Sequence, residues 1–300
     1  MKYSIQLDNV IKRFGNYRAL DKINLKVNEG EVFAYLGPNG SGKSTTIRVM
    51  LGILQATSGN AKVFGLDAWK NAVEVHKRIA YVPGDVNLWP NLSGGEVIDL
   101  LISLRGAYSK ERRNQLVRDF DLDLTKKCRA YSKGNRQKVA LVAAFASDAD
   151  LFILDEPTSG LDPLMEQVFQ ASVLKLKSMG KSVFLSSHIM SEVERLCDRV
   201  AIIREGRLVE TGTLDDLRHL TRYHMEVAAS HTIEGLEKIK GVHNIFREQD
   251  SIGFEVDTNE VDAVIRHISQ FGIYKLKSAP PSLEQLFMRH YETSEGGALK

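Results

Sequence analysis

The sequence predicts an α/β fold of 300 residues, a parallel sheet layered with helices, followed by a small α+β domain. Three observations carry that prediction. Short apolar runs alternate with helical segments up to about residue 200, the pattern of strands buried on both faces of a parallel sheet. Beyond about residue 220 the order becomes strand, helix, strand, strand, helix, strand and a last helix, a split βαβ arrangement. The charge changes at the same place. Residues 220–300 carry 9 basic and 12 acidic side chains, against 31 and 26 in the preceding part, so the net +2 is the sum of −3 and +5. Domains spanning 1–218 and 219–300 are expected.

The elements follow in order. Ile23, Leu25 and Val27 alternate as in a half-exposed strand, closed by the turn Asn28-Glu29-Gly30. Glu31–Leu36 is a buried strand running into Gly37, and Ser44–Leu51 a helix. Lys77–Val82 reads as a strand ended by Pro83-Gly84. Ser93-Gly94-Gly95-Glu96 opens a helix that continues through Leu104, and Lys133–Ala146 is a second long helix. Leu151–Leu154 and Ser182–Leu185 are buried strands on either side of an amphipathic helix, Glu166–Ser178, and Ala201–Glu210 resembles a hairpin. In the tail, Tyr223–Ala228, Val242–Arg247, Ser251–Val256 and Ile273–Leu276 read as strands. Ile233–Ile239, Val261–Gln270 and Pro281–Tyr291 read as helices, the last with proline near its start.

Composition narrows the function classes. A charged fraction of 26% and a hydrophobic fraction of 43% are ordinary for a globular chain, and +2 excludes a generally polybasic nucleic-acid binder. Cys128 and Cys197 stand apart, with no metal-ligand spacing around either, which fits a reducing compartment. No run approaches the roughly 18–20 apolar residues of a spanning helix, and Met1-Lys2-Tyr3-Ser4 lacks a signal-peptide core. A cytoplasmic protein is expected.

The chemistry lies in two motifs. Gly37-Pro38-Asn39-Gly40-Ser41-Gly42-Lys43-Ser44-Thr45 matches the P-loop, between a strand and a helix. Its glycines let backbone N–H groups curl around phosphate oxygens, and the following helix adds its positive dipole end. Lys43 reaches the β- and γ-phosphates, while Ser44 ligates Mg²⁺. Leu151–Leu154 ends in Asp155-Glu156, placing Asp155 at a strand terminus beside the P-loop. Asp155 is expected to hold Mg²⁺, and Glu156 to orient or deprotonate an attacking water.

With these residues in place, residues 3–215 resemble the nucleotide-binding subunit of an ABC transporter. The resemblance implies a P-loop core with an antiparallel β subdomain and a helical subdomain, binding ATP with Mg²⁺. Pro157-Thr158-Ser159-Gly160-Leu161-Asp162 is similar to the family's D-loop, His188 to its switch histidine, and Phe14 to the aromatic residue that stacks on adenine. Two segments compete for the family's signature. Leu92–Glu96 is closer in spelling, yet lies far upstream of Asp155, and Ser93 with Glu96 fits a capping box. Tyr131-Ser132-Lys133-Gly134-Asn135 opens the helix feeding the Asp155 strand and is taken as the signature, with Ser132 and Gly134 facing the γ-phosphate held by a partner subunit. Lys133 stands where the family has glycine, and Gly84 where it has a glutamine that senses the water and Mg²⁺. Either Asp85 substitutes or hydrolysis is slowed.

The resemblance further implies a second ATPase subunit, identical or paralogous, and an integral-membrane permease docked near Asn87-Leu88-Trp89-Pro90. The chain would then sit on the inner face of the membrane. The tail, ending in Pro280-Pro281-Ser282-Leu283-Glu284-Gln285-Leu286-Phe287, resembles that of drug- and lipid-exporting ATPases. Two other readings stay open: an ABC-type ATPase acting on nucleic acid or ribosomes, and a weakly hydrolysing ATP switch.

Overall fold

Alternation of buried and exposed residues along the first 28 residues builds a long ribbon, β1 (Tyr3–Phe14) against β2 (Tyr17–Asn28). The structure, a computed structural model, describes residues 2–104, 109–219, 222–247 and 251–279. After β3 (Val32–Leu36) and helix α1 (Lys43–Met50), the chain returns through β4 (Ser58–Val63) and β5 (Leu66–Asp67) to complete an antiparallel sheet of order β2-β1-β4-β5. Helix α2 (Ala72–His76) leads to β6 (Ile79–Val82). A helical layer follows: α3 (Gly94–Ser103), α4 (Lys110–Asp119) and α5 (Lys133–Ala146). Then come β7 (Leu151–Asp155), α6 (Pro163–Ser178), β8 (Ser182–Ser187), α7 (Met190–Leu196), β9 (Arg199–Arg204) and β10 (Arg207–Thr213).

The second sheet has the order β10-β9-β3-β8-β7-β6. Strands β3, β7 and β8 are buried at every position; β3 and the first four residues of β7 are apolar throughout, while β8 buries three serines around its Val183–Leu185 centre. They pair in parallel, with Leu36 opposite Ser187 and Asp155 opposite Ser186. Three chain segments far apart in sequence therefore end along one line of the sheet edge. This register gathers the chemistry. One core, including Phe33, Tyr35, Phe184 and Ile153, joins the antiparallel sheet and α1 to the central strands.

The chain divides into two units, Met1–Thr211 and Gly212–Lys300, so the short helix α8 (Leu214–His219) falls in the second, ahead of the residue 218 boundary expected from charge. In that unit β11 (Arg222–Ala229), β12 (Val242–Arg247), β13 (Ile252–Asp257) and β14 (Ile273–Ala279) form an antiparallel sheet of order β12-β13-β11-β14. Helix α9 (Val261–Ile268) contributes Val264 and Ile268 to its core. The helix expected over Ile233–Ile239 is absent. Only a 3-10 turn forms at Leu236–Lys238, because Gly235 takes a left-handed φ of 80° and interrupts the run. One turn suffices to bury Ile233 and Leu236. The Pro281–Tyr291 helix and the Pro280–Phe287 segment lie outside the described residues.

Candidate active site

The glycine-rich loop leaves the buried strand β3 and turns into α1 through two left-handed residues, Gly40 (φ 79°) and Gly42 (φ 111°). A Cβ on Gly37 would collide with the Ile203 carbonyl oxygen, so the loop packs backbone to backbone there. Lys43 is almost wholly buried. Its ammonium donates to the carbonyls of Gly37 (2.6 Å) and Pro38 (3.1 Å) and lies 3.3 Å from Glu156 Oε1. These three acceptors match the donors of an ammonium. Ser41 Oγ is buried without a hydrogen-bond partner inside the same loop. An orphaned hydroxyl, a buried cation and left-handed glycines form a cradle whose chemistry fits phosphate oxygens.

Asp155 and Glu156 close β7. Asp155 is 6% exposed and its Oδ1 accepts from Ser186 Oγ at 2.5 Å. Tyr81 nearby is pushed up to about 12, chiefly by burial and further by the Asp155 charge. Glu156 takes φ 46°, a left-handed conformation that costs a non-glycine residue energy. Its N–H is held by the Ser186 carbonyl (3.1 Å) and Ser186 Oγ (3.1 Å). The strained turn aims the carboxylate so that Oε1 stands between Lys43 Nζ and His188 Nδ1, the latter at 3.7 Å. A carboxylate facing a cation and an imidazole can orient and deprotonate a water. Among the described residues no cluster of three metal-binding side chains occurs. Asp155 with the exposed Ser44 hydroxyl suits Mg²⁺, which keeps several waters and takes oxygens from phosphates.

A cleft of 290 Å³ opens above the loop, lined by Phe14, Tyr17, Pro38, Asn39, Lys43–Thr45 and Glu156 among others. Phe14 and Tyr17 face each other across the β1–β2 turn and are 48% and 64% exposed, so neither is a core residue. Lys12 Nζ lies 5.0 Å from the centre of the Phe14 ring. Thus Phe14, Gly40, Gly42, Lys43, Ser44, Thr45 and Glu156 share one cleft, with Asp155 and His188 linked to it through β7 and β8.

Ser132, Gly134 and Asp162 do not line that cleft within one chain. Ser132 caps α5, accepting from the Asn135 N–H at 3.3 Å. Lys133 Nζ donates to Ser159 Oγ at 2.8 Å, and a Cβ on Gly134 would collide with the Gly160 carbonyl oxygen. The start of α5 is thereby fastened to the loop that follows Glu156. Asp162 caps α6 by accepting from the Met165 N–H at 3.0 Å. At the competing segment, Ser93 and Glu96 form the complete capping box of α3. Gly84 abuts Asp155: a Cβ there would stand 3.2 Å from the Asp155 carbonyl oxygen. The exposed Asp85 carboxylate meets Asn87 Nδ2 at 3.4 Å.

A model of the ABC transporter family matches residues 20–159. The bacitracin transport ATP-binding protein of Bacillus licheniformis is 30% identical over 304 residues, spanning 96% of this chain and 97% of that protein. The chain belongs to the ABC transporter ATP-binding family. Two solved structures agree with this ABC ATPase fold. An ATP-binding subunit of an ABC transporter is 31% identical with a TM-score of 0.67, over 72% of this chain and 92% of that one. A dimeric cassette in a post-hydrolysis state, bound to ADP and Pi, is 26% identical with a TM-score of 0.62, over 70% and 98%.

Three residues of this ABC ATPase escaped sequence reasoning. Ser186 holds both Asp155 and the Glu156 backbone, yet a serine closing an apolar strand reads as ordinary strand sequence. Tyr17 reaches the cleft only because the hairpin pairs it with Phe14; its place two residues after Gly15 was the available signal. Gln137 is buried and donates to the Pro157 carbonyl at 3.0 Å, a contact across 20 residues that no local pattern encodes.

Proposed function

We propose that this ABC ATPase is the motor subunit of an exporter for a drug, lipid or other hydrophobic cargo. It would act with a separate integral-membrane permease that holds it at the inner face of the membrane. The observation that carries the catalytic part is Glu156 Oε1, poised 3.3 Å from Lys43 and 3.7 Å from His188 at the mouth of the phosphate cradle.

ATP enters with its adenine against Phe14 and its phosphates in the loop Gly37–Thr45. The loop N–H groups and the α1 dipole take the phosphate charge, and Lys43 exchanges its carbonyl and Glu156 partners for β- and γ-oxygens. Ser44 and Asp155 would hold Mg²⁺, which would supply positive charge to offset that of the phosphates. Glu156, released from Lys43, orients the water and accepts its proton, while His188 steadies the carboxylate and the γ-phosphate side. Ser132, Gly134 and the Asp162 loop serve the ATP held by a second subunit in a head-to-tail dimer; the dimeric relative supports a two-subunit assembly. Gly84 offers no side chain to the water, so turnover is expected to be slow.

A permease-docking surface is assigned to the apolar cleft of 200 Å³ lined by Tyr81, Pro83, Leu88, Trp89, Leu101 and Ala143, with Trp89 half exposed. Among the described residues no helix is long and apolar enough to cross a membrane, which fits a pore supplied by another polypeptide. A drug-type cargo is supported by the bacitracin transport relative.

The test of catalysis is Glu156→Gln: ATP binding stays within about twofold while hydrolysis falls by ~10² or more. Unchanged turnover removes Glu156 as the base. Purification from detergent-solubilised membranes tests the assembly. Co-recovery of an integral-membrane protein supports it, and recovery with ribosomes or DNA contradicts it.

A further inference from the structure

Four residues after His188, Glu192 is 4% exposed, a carboxyl buried inside the fold. Its Oε2 accepts from Ser187 Oγ at 2.7 Å, while Oε1 is buried with no hydrogen-bond partner. A buried carboxyl with an unsatisfied oxygen costs free energy that a leucine of similar volume would avoid. Packing alone therefore gives no reason for it.

Its contact with Ser187 suggests the reason. Ser187 Oγ also accepts from the Ile189 N–H at 2.9 Å, so this hydroxyl ties the backbone on one side of His188 to that on the other. The Ser187 carbonyl accepts from the Gly37 N–H at 3.4 Å, joining the same residue to the start of the phosphate loop. With its proton directed at Glu192, the Ser187 hydroxyl keeps its lone pairs for Ile189. We infer that Glu192 is a positioning residue for this ATPase: through Ser187 it fixes the backbone bracketing His188, and so holds the imidazole beside Glu156. The inference rests on the role proposed above for His188.

Among the described residues no cation acts on the carboxyl. Glu166 approaches from α6 and Cys197 from just beyond the end of α7, with the hydroxyls of Ser187 and Thr158. Burial, reinforced by Glu166, pushes Glu192 up to about 7 despite those hydroxyls. The Ser187 contact is strongest when the group is ionised.

The test measures kcat and the ATP dissociation constant of the full chain for Glu192→Leu, Glu192→Gln, Ser187→Ala, His188→Ala and the double variant Glu192→Leu/His188→Ala. Glu192→Leu and Ser187→Ala should each lower kcat about tenfold with ATP affinity within about twofold, the split expected when only transition-state geometry is lost. Glu192→Gln, whose amide oxygen still accepts from Ser187, should recover turnover to within about threefold of wild type. In the His188→Ala background, Glu192→Leu should add nothing, because its effect travels through that histidine. Wild-type turnover in Glu192→Leu, or equal losses in both backgrounds, overturns the inference while leaving the role of His188 standing. Wild-type turnover in His188→Ala removes that role and this inference with it. If Glu192→Leu does not fold, Ser187→Ala carries the same comparison.

Discussion

Two helices of this ATPase begin almost alike, and only one start reaches the chemistry. At α3, the Ser93 and Glu96 side chains of Ser93-Gly94-Gly95-Glu96 turn back on the helix start: Ser93 Oγ accepts from the Glu96 N–H, and Glu96 Oε2 accepts from the Ser93 N–H at 2.6 Å. Gly94 is there to let the Tyr131 ring approach, since a Cβ would collide with its hydroxyl oxygen. At α5, Ser132-Lys133-Gly134-Asn135 has the same serine cap but no acidic residue in its first turn. Its lysine and glycine face outward onto Ser159 and Gly160 of the loop behind Glu156. The difference teaches that glycines at a helix start acquire function from what they touch. Spelling alone favours α3, whereas the contacts to the loop behind Glu156 belong to α5.

The largest effects should come from the glycines. Gly134→Ala drives a methyl into the Gly160 carbonyl and should lower turnover by ~10² through displacement of the loop after Glu156. Gly94→Ala should instead cost about 1–3 kcal/mol of stability, measured by chemical unfolding, as overpacking does. Equal turnover losses at the two glycines would break the distinction.

A smaller effect sharpens it from the other side. Lys133→Gly removes the bond to Ser159 and should change kcat severalfold while leaving the melting temperature within about 2 °C, since an exposed pair contributes little to stability. A kcat within error of wild type would make Lys133 a surface residue.

The smallest effect concerns Glu96. Hydrogen bonds from Ser93, with Lys127 beside it, hold its carboxyl below the usual carboxylate range. A lowered folded pKa stabilises above the unfolded value and is lost as pH falls through the folded one. The melting-temperature advantage of wild type over Glu96→Gln should therefore be present at pH 7 and shrink towards pH 3. A gap that widens on acidification would contradict the capping box.

Much of this was legible in the sequence, for reasons that differ by residue. Gly37–Thr45 could be read because phosphate binding by backbone needs contiguous residues in fixed order. Asp155 and Glu156 could be read because they end an unbroken apolar run. Ser132 is favoured by position, its helix feeding the Asp155 strand, against the closer spelling at Ser93, and the structure shows both serines as helix caps. What stayed hidden depends on register: Ser186 meets Asp155, and Tyr17 meets Phe14, through pairings set by the sheet. Ile233–Ile239 misled because its apolar spacing suits a helix, whereas Gly235 permits a single turn with the same residues buried.

The most direct measurement is ATP turnover together with unfolding free energy for Ser132→Ala and Ser93→Ala. Both serines cap a helix, so each variant should lose about 1 kcal/mol of stability. Ser132→Ala should also lose turnover by about tenfold or more, with Ser93→Ala within twofold of wild type. The reverse pattern, or equal turnover in the two, would contradict the assignment of α5 as the helix that serves the nucleotide.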